Sequence, residues 1–257
     1  MIRIQVLLLV LAGHVTSAYA QTSDIDERST EIIEACVDAM GTDMRLRGID
    51  TLTLRGTTRV VQHEESGEEI LIIVGGQDQF HMKHGEGEIF STFDGPDGWT
   101  GIEGQPPRRL DASQLALIRE FFPLPNVVAS WNSFPGTVRF EGAAEFAGKP
   151  AWKVEFTYDQ GDHKFTRYFD QESKLLVFQK HDGAGSAFGY KLINDVEILS
   201  KVEIFDGPGA DPGEVYQVFE IDEINVNDPL PVEVFQMPEA LKDVDTDQQQ
   251  DQSDKRE

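Results

Sequence analysis

Over residues 151–158 apolar and polar side chains alternate without a break. Trp152, Val154, Phe156 and Tyr158 take one side, and Lys153, Glu155 and Thr157 take the other. A period of two is the spacing of a half-buried β-strand, whose successive side chains point to opposite faces. The same rhythm runs from Leu52 and Leu54 to Val60-Val61, and through Phe80 and Met82 within 79–84. Residues 70–74 form a β-branched run, and further strand patterns lie at 88–93, 164–169, 174–180, 190–205 and 215–226. Turn clusters punctuate them, among them Asp94-Gly95-Pro96-Asp97-Gly98, Gly148-Lys149-Pro150 and Asp206-Gly207-Pro208-Gly209. The spacing predicts about ten strands in an antiparallel meander. A sheet of that size must curl, leaving a concave face for helices or a ligand to fill. No internal repeat or Ser/Gly linker divides the pattern, so a single domain is expected over 21–242.

Two helices interrupt the strands. In 29–40, Ile32, Ile33, Cys36, Val37 and Met40 recur at helical spacing, with Ser29 or Thr30 as cap and Gly41 as stop. In 111–122, Asp111 and Gln114 have the spacing of a capping box, and Pro123 ends the pattern. The apolar, Pro-rich stretch from Phe122 to Trp131 is expected to be an irregular lid or crossover.

The ends of the chain differ from its middle. Arg3, the apolar run 4–12 and Ala18-Tyr19-Ala20 have the pattern of a secretory signal peptide, so 1–20 is expected to be cleaved after Ala20. That run is shorter than the roughly 20 residues needed to span a bilayer. Residues 243–257 have almost no apolar content and are expected to be a disordered acidic tail. An exported, periplasmic product is predicted.

Charge and cysteine content narrow the function classes. A formal net charge of −24 over 257 residues disfavours nucleic acid and anionic headgroups met through a basic patch. The single Cys36 rules out an internal disulfide framework and a multi-cysteine zinc site. His81 and His84 stand three apart on a predicted strand and so diverge to opposite faces. His63, His163 and His181 are isolated in sequence, with solvated surface positions as the expectation. Asp206, Asp211 and Glu214, like Asp94 and Asp97, fit solvated turns better than a Ca²⁺ loop. Residues 183–187 match neither a nucleophile elbow nor a phosphate loop, and a flexible hairpin is expected there. No catalytic residue, metal site or cofactor is assigned.

Several patterns then occur in a telling order: Met40-Gly41 leading into Ile49–Gly56, Phe93-Asp94-Gly95-Pro96-Asp97-Gly98-Trp99, the hairpin 146–154, Ile224-Asn225-Val226-Asn227, and Val234–Pro238. In this order they resemble the LolA/LolB-like superfamily of periplasmic outer-membrane lipoprotein-sorting proteins, across most of the chain. The resemblance implies a mainly β, α+β fold: a half-open antiparallel β-barrel over helices, with an apolar cavity that shelters acyl chains in a carrier or receptor rather than an enzyme. The carriers' Arg-Pro, placed before the strand that precedes the Asp-Gly turn, is replaced here by Gly75-Gly76-Gln77-Asp78. In the carriers that Arg is implicated in holding a closed state, so its replacement marks a divergent member with another apolar ligand or a partner-binding role.

A soluble acyl-chain site needs a concave apolar wall. Phe80, Met82, Trp99, Trp152, Phe156 and Phe178 are the large residues on predicted strands that would build it, with Phe122, Trp131 and Phe134 as a lid. Each is also an ordinary core residue by composition. The expected function is a non-enzymatic carrier or receptor whose partner is a lipid or lipoprotein acyl chain. The alternative is an envelope protein-interaction module with a packed barrel and an acidic face docking a basic envelope partner. That face would come from 202–241, which carries ten acids and no Lys or Arg. A hydrolase ranks last, for want of a nucleophile–base pair legible in the spacing.

Overall fold

A computed structural model describes residues 24–61, 67–76, 78–85, 89–158, 163–181, 183–206 and 214–241. The signal segment 1–20, the tail 243–257, His63, Gln77 and Asp211 lie outside the described residues.

The first strand, β1 (Asp24–Ile25), leads into helix α1 (Glu27–Met40) and the short helix α2 (Asp43–Arg47). A first meander follows: β2 (Thr51–Val60), β3 (Glu68–Gly75), β4 (Gln79–His84), β5 (Ile89–Asp94), β6 (Asp97–Ile102) and β7 (Arg108–Arg109). Then come α3 (Ala112–Phe121), α4 (Pro125–Ser130) and a 3-10 turn at Trp131–Ser133. The second meander is β8 (Gly136–Phe146), β9 (Lys149–Tyr158), β10 (Lys164–Asp170), β11 (Leu176–His181), β12 (Ala184–Ile193), β13 (Val196–Asp206) and β14 (Val215–Val226). A last 3-10 turn spans Val232–Phe235.

The fourteen strands of the described residues form one sheet in the order β1-β8-β9-β10-β11-β12-β13-β14-β2-β3-β4-β5-β6-β7. Each meander pairs consecutive strands, and β14 joins the two by pairing with β2, from Gln217 opposite Val60 to Val226 opposite Leu52. The β1–β8 pair is parallel and the others are antiparallel. The sheet does not close, since β1 and β7 are its two edges. Register breaks at Phe140/Gly142, Tyr168/Phe169, Gly189/Tyr190, Ile204/Phe205 and Ile221/Glu223 are the bulges that add twist and bend it into a trough. Gly56 sits at one of them. A Cβ there would lie 1.9 Å from the Glu220 carbonyl oxygen, so only glycine lets β2 close onto β14.

The expected helices are present with adjusted ends. The α1 cap is Asp26, not Ser29 or Thr30: its carboxylate accepts from the Ser29 amide at 2.8 Å and the Phe140 amide at 2.7 Å, tying the helix start to β8. Asp111 and Gln114 form the predicted capping box on α3. Four strands beyond the expected ten are short or split from longer runs. The stretch after Pro123 is not irregular: Pro125 occupies the first turn of α4, where its missing N–H costs nothing. The Gly-rich 183–187 is not a flexible hairpin beyond its first residue, because 184–187 belong to β12 and Ser186 is buried opposite Gln179.

The main core lies on the concave side, where Ile33, Cys36, Met40, Leu54, Val128, Trp131, Phe134, Phe156 and Phe169 are all buried. A separate apolar cluster of Ala151, Tyr168, Phe178 and Phe205 lies on the opposite face of the second meander. On the convex side of the first meander, the 3-10 turn at 232–235 packs against β4 and β5, with Phe235 beside Gly75. Arg109 holds the end of this segment, donating to the Leu241 carbonyl at 3.3 Å.

Candidate functional site

The open mouth of the trough is crossed by α3, and α4 with its following turn plugs the space beneath. Two close packings seat α3. Leu115 rests on Gly98 so tightly that a Cβ on Gly98 would lie 2.3 Å from the leucine Cδ2. Phe122, at the helix end, meets Phe219 of β14 edge-on at 6.2 Å. Leu117, Ile118 and Phe121 stay half-exposed, so this helix is apolar on more than its inward side. The backbones of α1, α2 and α4 approach one another closely, whereas α3 is held mainly through side chains.

Two of those side chains are charged neighbours. Arg119 reaches the first meander: its guanidinium stacks 4.7 Å over Phe93, donates to the Gly95 carbonyl and lies 3.7 Å from Asp78. Asp78 belongs to the segment where the resemblance placed an Arg-Pro, so that place is met here by an arginine from α3. Glu120 reaches the second meander. Its carboxylate accepts from Arg167 Nη2 at 2.5 Å, Tyr158 Oη at 2.9 Å and Trp131 Nε1 at 3.2 Å, and its carbonyl accepts from Gln179 Nε2 at 3.2 Å.

Arg167 is 0 % exposed. Its Nε donates to Gln179 at 2.9 Å, and its guanidinium lies 4.1 Å from the Phe156 ring centroid, 4.3 Å from Trp131 and 5.4 Å from Phe165. Nη1 has no hydrogen-bond acceptor among the described residues. A buried charge is tolerated only where it is paired and bonded, and here α3 supplies the pairing. Burial, followed by the neighbouring Glu120 carboxylate, pushes the Tyr158 phenol far above its usual range, so it acts as a fixed donor.

A surface groove of about 120 Å³ opens between α1 and β9–β10, lined by Arg28, Glu31, Ile32, Ala35, Trp152, Phe169 and Lys174. Arg28 stacks 4.9 Å over Trp152 and is paired with Glu31 at 2.5 Å. From the groove floor, Phe169 meets Trp131 edge-on at 6.0 Å, and Trp131 in turn stacks on Arg167. The apolar floor is therefore continuous with the buried charged node.

The expected wall and lid residues divide between the two faces of the sheet. Phe80, Met82, Trp152 and Phe156 face the concave core, where Phe80 stacks on Phe93 at 5.3 Å. Phe122, Trp131 and Phe134 are 1–2 % exposed, so they form an internal plug rather than a surface flap. Trp99 and Phe178 do not share that space. Gly98 faces α3, so Trp99, one residue on, points to the convex side. Phe178 stacks on Phe146 at 4.5 Å in the outer cluster, while its neighbour Gln179 points inward to Arg167. Strand periodicity identified these residues as apolar strand positions; which face is concave was set by tertiary packing, through the β10–β11 bulge for Phe178 and through α3 on Gly98 for Trp99.

Sequence reading missed the Arg167–Glu120 pair, whose members stand 47 positions apart. One signal was available: Arg167 occupies the same face of its strand as Phe165 and Phe169, an apolar face on which a charge is out of place. It missed a second contact too. Ser113 of α3 is hydrogen-bonded to His163 Nε2, and the His163 and His181 rings lie 5.5 Å apart. His163 and His181, isolated in sequence, are brought together at the start of α3. His81 and His84 diverge as expected: His81 is buried on the convex face, bonded to Thr92 at 2.8 Å, with its pKa lowered to about 4 by burial and then by Lys83. His84, three residues on, projects to the other face. Among the described residues no group of three or more His, Cys, Asp or Glu could hold a metal ion. No described helix is long and apolar enough to cross a membrane.

Three of the acids of 202–241 stand beside bases. Glu203 is paired with Lys201 at 2.7 Å, and Glu223 stands opposite Arg55 across the β14–β2 ladder. Glu220 stands opposite Lys201 on one side and Thr57 on the other.

No family model and no curated protein matches the sequence. Solved structures do match the fold. A LolA superfamily protein from Nitrosomonas europaea is 15 % identical, with a TM-score of 0.53 over 81 % of this chain and 97 % of that one. A DUF1329 family protein from Desulfovibrio piger is 10 % identical, with a TM-score of 0.56 over 80 % of this chain and 96 % of that one. A domain from Vibrio parahaemolyticus, described as an outer membrane lipoprotein-sorting protein, is 9 % identical, with a TM-score of 0.55 over 79 % and 95 %. The open, antiparallel-dominated sheet over helices is the LolA-like fold.

Proposed function

We propose that this chain, which has the fold of the LolA-like lipoprotein-sorting proteins, is a non-enzymatic periplasmic carrier or receptor for a lipid or lipoprotein acyl chain. The observation that carries this reading is α3, a helix fastened by side chains across an aromatic trough. The groove of about 120 Å³ is below the roughly 300 Å³ at which small-molecule sites begin, so an acyl chain enters only when α3 and the plug beneath it move. Each CH₂ sheltered then contributes about 0.8 kcal/mol, enough for a long chain to offset the displaced packing. Phe80, Met82, Trp152 and Phe156 would line the opened space, Phe122 would swing with α3, and Trp131 and Phe134 with α4. Trp99 and Phe178 have no part in it. Export by the segment 1–20 belongs to the same reading, and the Vibrio parahaemolyticus domain, described as an outer membrane lipoprotein-sorting protein, supports it.

The test is native mass spectrometry of the protein purified from its own cell envelope, with chloroform extraction and analysis of what is released. A stoichiometric acyl-bearing lipid or lipopeptide supports the proposal. A protein that emerges empty, and that binds no fluorescent fatty-acid probe after purification, sinks it.

The near-complete burial of Phe122, Trp131, Phe134 and Phe156 favours a second reading, an envelope interaction module with a permanently packed interior. Its partner would be basic, meeting the acidic C-terminal strands, and its association would weaken as salt rises. A salt-sensitive, stoichiometric protein partner recovered without lipid would favour it.

A further inference from the structure

Three donors converge on the Glu120 carboxylate inside the trough: Arg167 Nη2, Trp131 Nε1 and Tyr158 Oη. Their surroundings are aromatic, with the guanidinium covered by Trp131, Phe156 and Phe165. The site is thus a carboxylate receptor with apolar walls, already holding a carboxylate supplied by the protein's own helix. Glu120 lies at the C-terminal end of α3, where the helix dipole repels an anion, so its stabilisation comes from Arg167, Tyr158 and Trp131 rather than from its own helix. The fork is not saturated either. Arg167 Nη1 is buried and meets no acceptor among the described residues, although a guanidinium is built to hold a carboxylate through two parallel bonds.

We propose that Arg167, with Tyr158, is the head-group site for a long-chain carboxylate, and that Glu120 occupies this site as an internal surrogate until the ligand displaces it. This rests on the acyl-carrier reading and names its ligand class. Opening moves α3 away and withdraws Glu120, and the incoming carboxylate takes over Arg167 Nη2 and Tyr158 Oη and adds Nη1, while Trp131 leaves with the plug. The alkyl chain lies in the space vacated by the plug, which the groove floor adjoins through Phe169 and Trp131. Displacement couples binding to opening, because the closed helix and the bound ligand compete for one arginine. The rival position for a head group is the groove mouth, where Arg28 and Lys174 stand beside Trp152.

Hexadecanoate and hexadecanol, identical but for the head, are the probes. Their dissociation constants are measured by displacement of a fluorescent fatty-acid analogue from the full-length mature protein, in wild type, Glu120→Gln, Arg167→Met and an Arg28→Gln/Lys174→Gln double variant. The expected preference for hexadecanoate in wild type is about tenfold or more, the range of a charge-assisted bond in a buried site. It widens in Glu120→Gln, where the surrogate is neutral, falls to near unity in Arg167→Met, and survives in the double variant. If Arg167→Met does not fold, Glu120→Gln and the double variant still decide. Equal binding of both probes in wild type and in Glu120→Gln overturns the head-group site while leaving the acyl-carrier reading intact. Loss of preference in the double variant alone also overturns it, and moves the head to the groove mouth. Failure of both probes to bind any folded variant overturns the carrier reading as well.

Discussion

Arg119 and Glu120 are consecutive on α3 yet tie the helix to opposite arms of one sheet. The arginine reaches Phe93, Gly95 and Asp78 of the first meander, and the glutamate reaches Tyr158 and Arg167 of the second. In a sheet that does not close, this pair spans the gap. The fastening is asymmetric. The Arg119 side is one-third exposed and screened by solvent, whereas the Arg167–Glu120 contact is enclosed. Exposed pairs contribute little, and a buried pair costs much when broken from one side, so the two ties differ in what their removal does.

Removing the exposed tie loosens the mouth without unfolding the protein. Arg119→Ala is expected to raise the fluorescence of an apolar dye several-fold at pH 7, with the urea midpoint lowered by no more than an exposed contact explains, about 1 kcal/mol. Dye titration and urea melts on the same samples check this. Unchanged dye binding would mean that Arg119 does not hold the helix down.

Breaking the buried tie from one side leaves an uncompensated charge. Arg167→Met and Glu120→Leu are each expected to destabilise by about 3–5 kcal/mol, and the double variant by less than either, because it buries no unpaired charge. Denaturant melts of the three proteins form the cycle. Additive losses would show that the two side chains act independently.

His81 makes stability pH-dependent in a defined window. Its native pKa of about 4 lies below the ordinary 6.5, so the unfolded chain takes up the proton first as pH falls. The contribution is whole above pH 6.5 and is lost progressively as pH falls toward 4, amounting to about 3 kcal/mol. Thermal melts from pH 7.5 to 4 should follow this course, and His81→Phe should flatten it. A wild-type profile flat across that range would contradict the buried, neutral imidazole.

Cys36 is fully buried, and burial pushes its thiol up to about 12. At pH 8 a disulfide-exchange reagent should label it only after denaturant is added. Rapid labelling of the native protein would place α1 in exchange with an undocked state.

At the seam between the meanders, Gly56→Ala is expected to cost about 1–3 kcal/mol, because its methyl would meet the Glu220 carbonyl and push β2 from β14. Hydrogen exchange should rise along both strands. Exchange confined to β2 would mean that β14 does not depend on the seam.

The sequence by itself determined the local rules. Alternation at Trp152–Tyr158 made a strand, Asp111 and Gln114 made a helix start, and Leu52 and Leu54 announced the first meander before any tertiary contact was known. Those outcomes depend on neighbours within a few residues, so they are written locally. Sequence could not say that Phe178 would turn away from the trough, since the bulge between β10 and β11 reverses which parity faces inward, nor that Trp99 would, since the packing of Leu115 on Gly98 decides which face of β6 meets α3. Nor could it say that Glu220 and Glu223 of β14 would stand opposite Lys201 and Arg55, or that Glu120 and Arg167 would meet inside the core. Those are pairings between positions far apart in the chain, and only the curl of the sheet, which brings α3 down between its two arms, decided them.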